Sequence, residues 1–188
     1  MKPAPFEYEV PTTLEEALDL LSRHGDSAKV LAGGQSLVPL MNFRLVTPSV
    51  LIDLNRLSAL TFLREHEGAL SIGSMVRQRH IERDPLVGEY APLLREAVPF
   101  IAHPQIRNRG TLGGSLAHAD PAAELPAVAV ALGARLKLTS AQGERWIKAN
   151  DFFLGPFSTL LNPTELLTEV SLPALPPRRG AIPAGRSG

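Results

Sequence analysis

Two short segments of the sequence have the residue types that hold an anion. They are AGGQS (32–36) and TLGGS (111–115), and each combines a pair of glycines with a hydroxyl residue. A glycine pair lets the backbone adopt positive φ, so that successive N–H groups can point into one concavity and hold phosphate oxygens. A helix that begins just after such a segment adds the positive end of its dipole. The alternative is a tight turn that binds nothing, and spacing alone leaves both open.

Several other chemistries are not supported by the sequence. Neither segment is GxGxxG or GxxxxGK[ST], so neither a Rossmann dinucleotide fingerprint nor a nucleotide-triphosphate loop is present. His103, His118 and Asp120 lie near the second segment, but a metal site needs three or four convergent ligands, so no metal site is expected. The chain has no cysteine, which excludes disulfides, thiolate zinc sites and iron–sulfur clusters bound by its own thiolates. No set of acid, base and nucleophile is evident.

Two arginines, Arg107 and Arg109, precede the second glycine segment. Bound phosphates attract arginine, because its planar guanidinium can donate several hydrogen bonds to oxygen atoms. A pair of arginines that is solvated or braces a loop is the alternative interpretation, and the sequence does not separate the two.

The elements of the first 55 residues predict a small β-α-β-β lobe. Residues 6–10, 29–32 and 50–54 are predicted strands, and residues 37–41 a helical turn. Between the first two strands, Thr13 and Glu16 fit a capping box and Gly25 a helix stop, which predicts an amphipathic helix. The first glycine segment therefore stands at the end of a strand.

Residues 56–172 predict a larger lobe of hairpins and helices. The predicted hairpins pair residues 60–64 with 69–73 and residues 134–139 with 144–148, and residues 166–172 form a last strand. The predicted helices are 75–83, 91–98 and 122–132. The stretch that contains the second glycine segment, residues 102–121, is predicted to be loop-rich because of its glycines and prolines. From residue 173 the composition changes to proline, glycine and arginine, which predicts a disordered tail over 173–188.

Composition and charge limit the class of protein. Hydrophobic residues make up 44% of the chain and charged residues 20%, so a packed core is expected. The 19 basic and 19 acidic side chains cancel, so no general attraction to nucleic acid or anionic membrane is expected. The longest apolar run, 126–134, is far too short for a membrane span. The N-terminus has no apolar signal region, so a cytoplasmic location is expected.

Three strings carry a resemblance to a known family: AGGQSLVPLMNFRL (32–45), LIDL (51–54) and HPQIRNRGTLGGSLAHADPAAELP (103–126). They are similar to the FAD-binding subunit of the molybdenum hydroxylases, which include the medium subunit of aerobic carbon monoxide dehydrogenase and the flavin domain of xanthine dehydrogenase. The similarity extends more loosely over residues 6–172. It implies an α+β, two-lobed FAD-binding fold of the vanillyl-alcohol-oxidase/PCMH type. A small N-terminal β-α-β lobe and a larger lobe with a mixed or antiparallel sheet would hold a non-covalent FAD between them.

The resemblance also implies the residues of the site. The two glycine segments would hold the pyrophosphate and ribityl chain, Asp120 would contact the flavin side of the cofactor, Ile101 would neighbour the ring system, and His118 would touch the cofactor. The implied set is Ala32, Gly33, Gly34, Gln35, Ser36, Ile101, Thr111, Gly113, Gly114, Ser115, His118 and Asp120.

In the family this subunit performs no substrate chemistry. A large molybdopterin-binding subunit hydroxylates the substrate, and a small subunit with two [2Fe–2S] clusters passes the electrons to FAD and on to an external acceptor. The absence of cysteine in this chain fits that division, since the clusters would belong to the partner.

The chain is also expected to differ from the family in one respect, and two rival functions stay open. Full-length members continue into a C-terminal α/β domain, which is expected to be missing here because the chain ends in PPRRGAIPAGRSG. The first rival is a non-catalytic assembly or interaction module that has lost flavin. The second is a self-sufficient flavin oxidase, for which the chain has no substrate domain.

Overall fold

The computed structural model describes residues 2–173. The helices are α1 (Leu14–His24), α2 (Leu37–Asn42), α3 (Gln78–Arg83), α4 (Pro85–Tyr90), α5 (Pro92–Ala97), α6 (Pro104–Arg109), α7 (Leu112–His118), α8 (Glu124–Ala131) and α9 (Ala149–Phe152). The strands are β1 (Glu7–Glu9), β2 (Ala28–Leu31), β3 (Val50–Asp53), β4 (Leu63–His66), β5 (Ala69–Gly73), β6 (Arg135–Ser140), β7 (Gly143–Lys148), β8 (Phe153–Gly155), β9 (Ser158–Thr159) and β10 (Leu166–Pro173).

A three-stranded parallel sheet, in the order β1-β3-β2, contains the three predicted strands of the N-terminal region. Helix α1 packs against this sheet through its buried apolar stripe. Its predicted capping box, Thr13 with Glu16, and its predicted end at Gly25 are both confirmed. The core of this sheet also takes in buried residues from beyond residue 55, which are Leu57, Leu60, Met75 and Leu166. The division at residues 1–55 and 56–172 therefore stays a prediction.

A five-stranded antiparallel sheet, in the order β4-β5-β10-β6-β7, forms the larger part of the fold. Both predicted hairpins are confirmed, and the last predicted strand, β10, lies at the centre between them. Apolar residues of β5, β6 and β10 pack in one core with buried residues of α3, α4, α5, α7 and α8. The second glycine segment lies among these helices, so the core that supports the sheet also supports the segment.

The stretch 102–121 is not the loop that the sequence predicted, because it contains two short helices, α6 and α7. Pro104 is in the first turn of α6, where a missing N–H costs nothing. Gly113 lies inside α7 and packs on Ser74, so closely that a Cβ added at Gly113 would lie 2.5 Å from the Ser74 Cβ. The residues that indicated a loop are therefore a helix start and a close packing contact.

Other boundaries also differ from the predictions. Helix α3 begins at Gln78 rather than at residue 75, because the carbonyls of Ser74 and Val76 accept hydrogen bonds from the start of α7. The strand predicted over 60–64 is Leu63–His66, while α4, α9 and the small β8–β9 hairpin were not predicted. The predicted tail over 173–188 lies outside the described residues from 174 onward, and Pro173 is the last residue of β10, paired with Ala69.

Candidate functional site

The first glycine segment follows strand β2 and the second begins helix α7, and the two lie side by side. A Cβ added at Gly33 would lie 2.5 Å from the Arg109 carbonyl oxygen and 2.8 Å from the Gly110 Cα. A Cβ added at Gly114 would lie 3.4 Å from the Cβ of Ala32. Glycine at position 33 is therefore required because the backbone at 109–110 passes directly against it.

The first segment leaves a run of backbone donors without protein partners. Within residues 2–173, no acceptor pairs with the amide N–H groups of residues 33–37. The carbonyls of Gly34 and Ser36 accept from Val38 and Leu40, both at 3.2 Å, as the chain enters α2. Gly34 has a φ of 73°, a conformation that glycine adopts readily. Five successive N–H groups next to a positive-φ glycine are the arrangement that holds an anion.

The second segment differs from the sequence expectation, because the amides of residues 112–115 are already paired. The amides of Leu112 and Gly113 donate to Val76 and Ser74 at 3.0 and 2.9 Å. The amide of Gly114 donates to the Thr111 hydroxyl at 3.1 Å, and that of Ser115 to the Thr111 carbonyl at 3.3 Å. Neither Gly113 nor Gly114 has positive φ, since both are helical. This segment therefore offers a close-fitting wall and the Ser115 hydroxyl rather than free amides.

The remaining predicted residues lie near the C-terminal end of α7 and before α6. The His118 ring is 5.2 Å from the ring of Phe157. Phe157 is 61% exposed, and its amide donates to the Ala119 carbonyl at 2.8 Å. The Asp120 carboxylate accepts from the Ala122 amide at 2.9 Å and is only half-buried. No sequence pattern indicated Phe157, an exposed aromatic ring beside a predicted cofactor contact.

Arg107 braces a loop, which decides between the two interpretations of this residue. It is 6% exposed, and its Nη1 donates to the carbonyls of Ile101, Ala102 and Pro99 at 2.9, 3.2 and 3.3 Å. Its Nε donates to Glu82 at 3.1 Å. One buried guanidinium thus holds the segment that carries Ile101, the predicted neighbour of the ring system.

Glu82 is the counter-ion of that buried guanidinium. Burial on its own raises the pKa of the Glu82 carboxyl, but hydrogen bonds from Arg79 and Arg107 outweigh burial and lower the pKa below its ordinary value. The carboxylate is therefore charged near neutral pH. The side chain of Arg109, by contrast, is exposed and has no hydrogen-bond or ion-pair partner within the described part of the chain.

Two polar residues that the sequence did not indicate, Asn55 and Arg77, lie between the glycine segments. Asn55 donates to the Ala32 carbonyl at 3.0 Å and accepts from Arg77 at 2.5 Å. A signal for Asn55 was present in its position, because it follows the carboxyl end of a parallel strand, the edge at which open parallel sheets bind ligands. Arg77 has no such signal, since its position is fixed by contacts distant in the sequence.

Comparison with known proteins defines the class to which this fold and site belong. Residues 4–175 match the family model described as FAD binding domain in molybdopterin dehydrogenase. The chain therefore belongs to this family of FAD-binding domains.

Individual relatives agree with this assignment. The chain is 48% identical over 181 residues to the 6-hydroxypseudooxynicotine dehydrogenase complex subunit alpha of Paenarthrobacter nicotinovorans, which covers 96% of this chain and 61% of the relative. It is 42% identical over 174 residues to the carbon monoxide dehydrogenase medium chain of Hydrogenophaga pseudoflava, covering 93% of this chain and 61% of the relative. The chain thus spans about three fifths of the length of these relatives.

A solved structure has the same fold. The carbon monoxide dehydrogenase from Hydrogenophaga pseudoflava that lacks the Mo-pyranopterin moiety of its cofactor superposes with a TM-score of 0.92 at 43% identity. The match covers 94% of this chain and 61% of that one. The expected α+β FAD-binding fold is confirmed.

Two further observations concern other kinds of site. No helix within residues 2–173 is long and apolar enough to cross a membrane. Among the same residues, no three His, Asp or Glu side chains come together in a group that could hold a metal ion.

The site fits the cofactor of the family. FAD carries a pyrophosphate, and the unpaired amides of residues 33–37 are donors of the kind that this group needs. Arg109 is an exposed cation on the segment whose backbone passes against Gly33. The second segment closes one side of the cradle with backbone rather than side chains, because a Cβ at Gly114 would already lie 2.7 Å from the Thr111 hydroxyl.

Proposed function

We propose that this chain binds FAD non-covalently with its pyrophosphate on the amides of residues 33–37. Gly33, Gly34, Gln35 and Ser36 would supply the donors, and Thr111, Gly113, Gly114 and Ser115 the facing wall. The single observation that carries the assignment to these residues is the run of five amides without protein acceptors, adjacent to a second segment whose amides are paired. Bound FAD would supply the two-electron redox chemistry that the side chains of this site lack.

The other predicted residues would border the flavin half of the cofactor. The segment held by Arg107 would place Ile101 against the ring system, and His118 and Asp120 would contact the cofactor from the end of α7. Phe157, whose ring lies tilted against that of His118, extends the same surface with an exposed aromatic ring. These side chains bind, orient and exclude water, and none of them is assigned a step in substrate chemistry.

The proposed role is that of an electron-transfer part of a molybdenum hydroxylase complex. Electrons would come from the [2Fe–2S] clusters of a small partner subunit, which receives them from a large molybdopterin-binding subunit, and would leave to an external acceptor. Family membership supports this role, as does the similarity to the alpha subunit of the 6-hydroxypseudooxynicotine dehydrogenase complex. The chain's lack of cysteine is consistent with clusters held by another subunit.

An absorption spectrum of the purified chain, recorded after incubation with FAD and desalting, tests the proposed cofactor binding. We expect the visible bands of an oxidised flavin at close to one FAD per chain. A colourless protein would contradict binding by this chain and favour the alternative of an assembly or interaction module without flavin. Bleaching of the bound flavin by an organic substrate without partner subunits would contradict the electron-transfer role and favour a self-sufficient oxidase.

A further inference from the structure

A continuous chain of hydrogen bonds runs from the N-terminal sheet towards the second glycine segment. It begins at Asp53, which is 8% exposed and accepts from the Tyr8 hydroxyl. The other carboxylate oxygen of Asp53 accepts from the backbone amide of Asn55 at 2.8 Å and from the Asn55 side chain. The hydrogen bond to Asp53 raises the pKa of the Tyr8 phenol, so Tyr8 stays a neutral donor. Asp53 thus fixes the orientation of the Asn55 side chain.

Asn55 uses both ends of its amide group. The Nδ2 group donates to the carbonyl of Ala32, the first residue of the first glycine segment, and Oδ1 accepts from Arg77. A guanidinium can only donate and a carbonyl can only accept, so this orientation is the one that satisfies both contacts. The side chain therefore links the first segment to a residue of the second region.

Arg77 completes the link. Besides Asn55, its guanidinium donates to the carbonyl of Arg109. That same carbonyl is the atom against which Gly33 packs. The backbone of Arg77 also forms an antiparallel bridge with Thr111. Arg77 thus contacts the start of the second segment through both its guanidinium and its backbone. Asn55 contacts the first segment.

We propose that Asn55 and Arg77 are positioning residues, which fix the two glycine segments relative to each other before FAD arrives. The inference rests on the proposed function, since it assumes that the two segments together form the cofactor site. A site whose halves lie on separate elements, here the end of β2 and the start of α7, binds weakly if the ligand must bring the halves into place. Pre-organisation by Asn55 and Arg77 removes the free-energy cost of ordering the two segments on binding.

Exposure separates this role from a contribution to overall stability. The contacts of Asn55 with Ala32 and Arg77 lie at the surface rather than in the core. Exposed polar contacts contribute little to the free energy of unfolding, so their removal changes the local geometry of the segments more than the stability of the fold.

Four variants test the proposal by titration of flavin-free protein with FAD, followed by flavin fluorescence. Asn55→Ala and Arg77→Gln should each raise the Kd on the order of tenfold or more. The double variant should be little weaker than either single one, because both break the same link. Arg77→Lys should be as weak as Arg77→Gln, since one ammonium cannot span Asn55 and the Arg109 carbonyl. Recovery of affinity in Arg77→Lys would show that charge alone matters and would overturn the positioning role.

Arg145→Gln is the matched control. Arg145 likewise joins a side-chain oxygen to a backbone carbonyl, here the Glu165 carboxylate to the Leu160 carbonyl, but away from the glycine segments. This substitution should leave the Kd for FAD unchanged. A Kd raised to the same extent as in Arg77→Gln would assign the effect to general loosening of the fold and overturn the proposal.

Amide hydrogen exchange in the flavin-free protein separates this inference from the proposed function. Asn55→Ala and Arg77→Gln should each raise exchange at the bonded amides beside the link, which are that of Val38 (to the Gly34 carbonyl) and those of Leu112 and Gly113 (to the Val76 and Ser74 carbonyls). If wild-type protein fails to bind FAD, the proposed function is contradicted. Amide exchange in the two variants then tests by itself whether Asn55 and Arg77 link the two segments. If wild type binds FAD and both variants show unchanged affinity and exchange, the inference falls while the proposed function stands.

Discussion

At the scale of single residues, the two glycine pairs have different structural roles although each is Gly-Gly. Gly34 has positive φ, whereas Gly33 and Gly113 are glycines because backbone or side chain of another segment passes against them. Residue composition indicated that both segments are candidate anion sites. It could not tell which amides would be free, because the partners of the second segment, Ser74 and Val76, lie almost 40 residues earlier and join it through tertiary contacts.

Gly34→Ala should weaken FAD binding as well as destabilise the protein. An alanine at a φ of 73° costs roughly 1 kcal/mol, and its Cβ would crowd the side chains of Leu31 and Val38 at 3.1 and 3.2 Å. Relief of this strain turns the amides of residues 33–37 away from a common point. Gly133→Ala is the control, because Gly133 has a φ of 62° with no atom near a Cβ and lies outside the site. Chemical denaturation should show both variants destabilised, while FAD titration should show weaker binding only for Gly34→Ala. Equal affinities in the two variants would contradict the cradle.

At the scale of elements, local signals predicted most helices and strands but not their pairing. The capping box of α1 and the hairpin turns are encoded by neighbouring residues, and these elements were predicted closely. The central position of β10 depends on pairing with β5 and β6, whose paired residues lie 27 to 104 positions earlier, and no local pattern carries that information. Helices α6 and α7 were misread because proline and glycine break helices on average, whereas their actual effect depends on position.

Arg107→Lys should destabilise the link between α3, α6 and the segment that carries Ile101. A lysine keeps the charge but lacks the planar fork that reaches Glu82 and three carbonyls at once. Leaving buried acceptors unpaired costs about 2–4 kcal/mol in the free energy of unfolding. Arg109→Lys, at an exposed neighbouring position, should change it by less than about 0.5 kcal/mol. Urea denaturation measures both, and equal midpoints for the two variants would show that Arg107 does not brace the loop.

At the scale of the whole molecule, the site lies where a parallel and an antiparallel sheet meet. The N-terminal sheet completes its core with residues of the larger region, and the polar link through Asn55 and Arg77 joins the two glycine segments. A ligand held by both segments stabilises both regions at once, because its binding free energy is lost if either unfolds. The resemblance carried by residues 103–126 predicted this family and its fold, whereas the contacts between the sheets emerged only from the structure.

The most direct test of the cradle is amide-resolved hydrogen exchange by NMR, measured on flavin-free protein with and without saturating FAD. We expect FAD to slow exchange strongly at residues 33–37, whose amides lack protein acceptors, and to change it far less at residues 112–115, whose amides are already bonded. FAD binding that leaves exchange at residues 33–37 unchanged would contradict the account, since the pyrophosphate would then be held elsewhere.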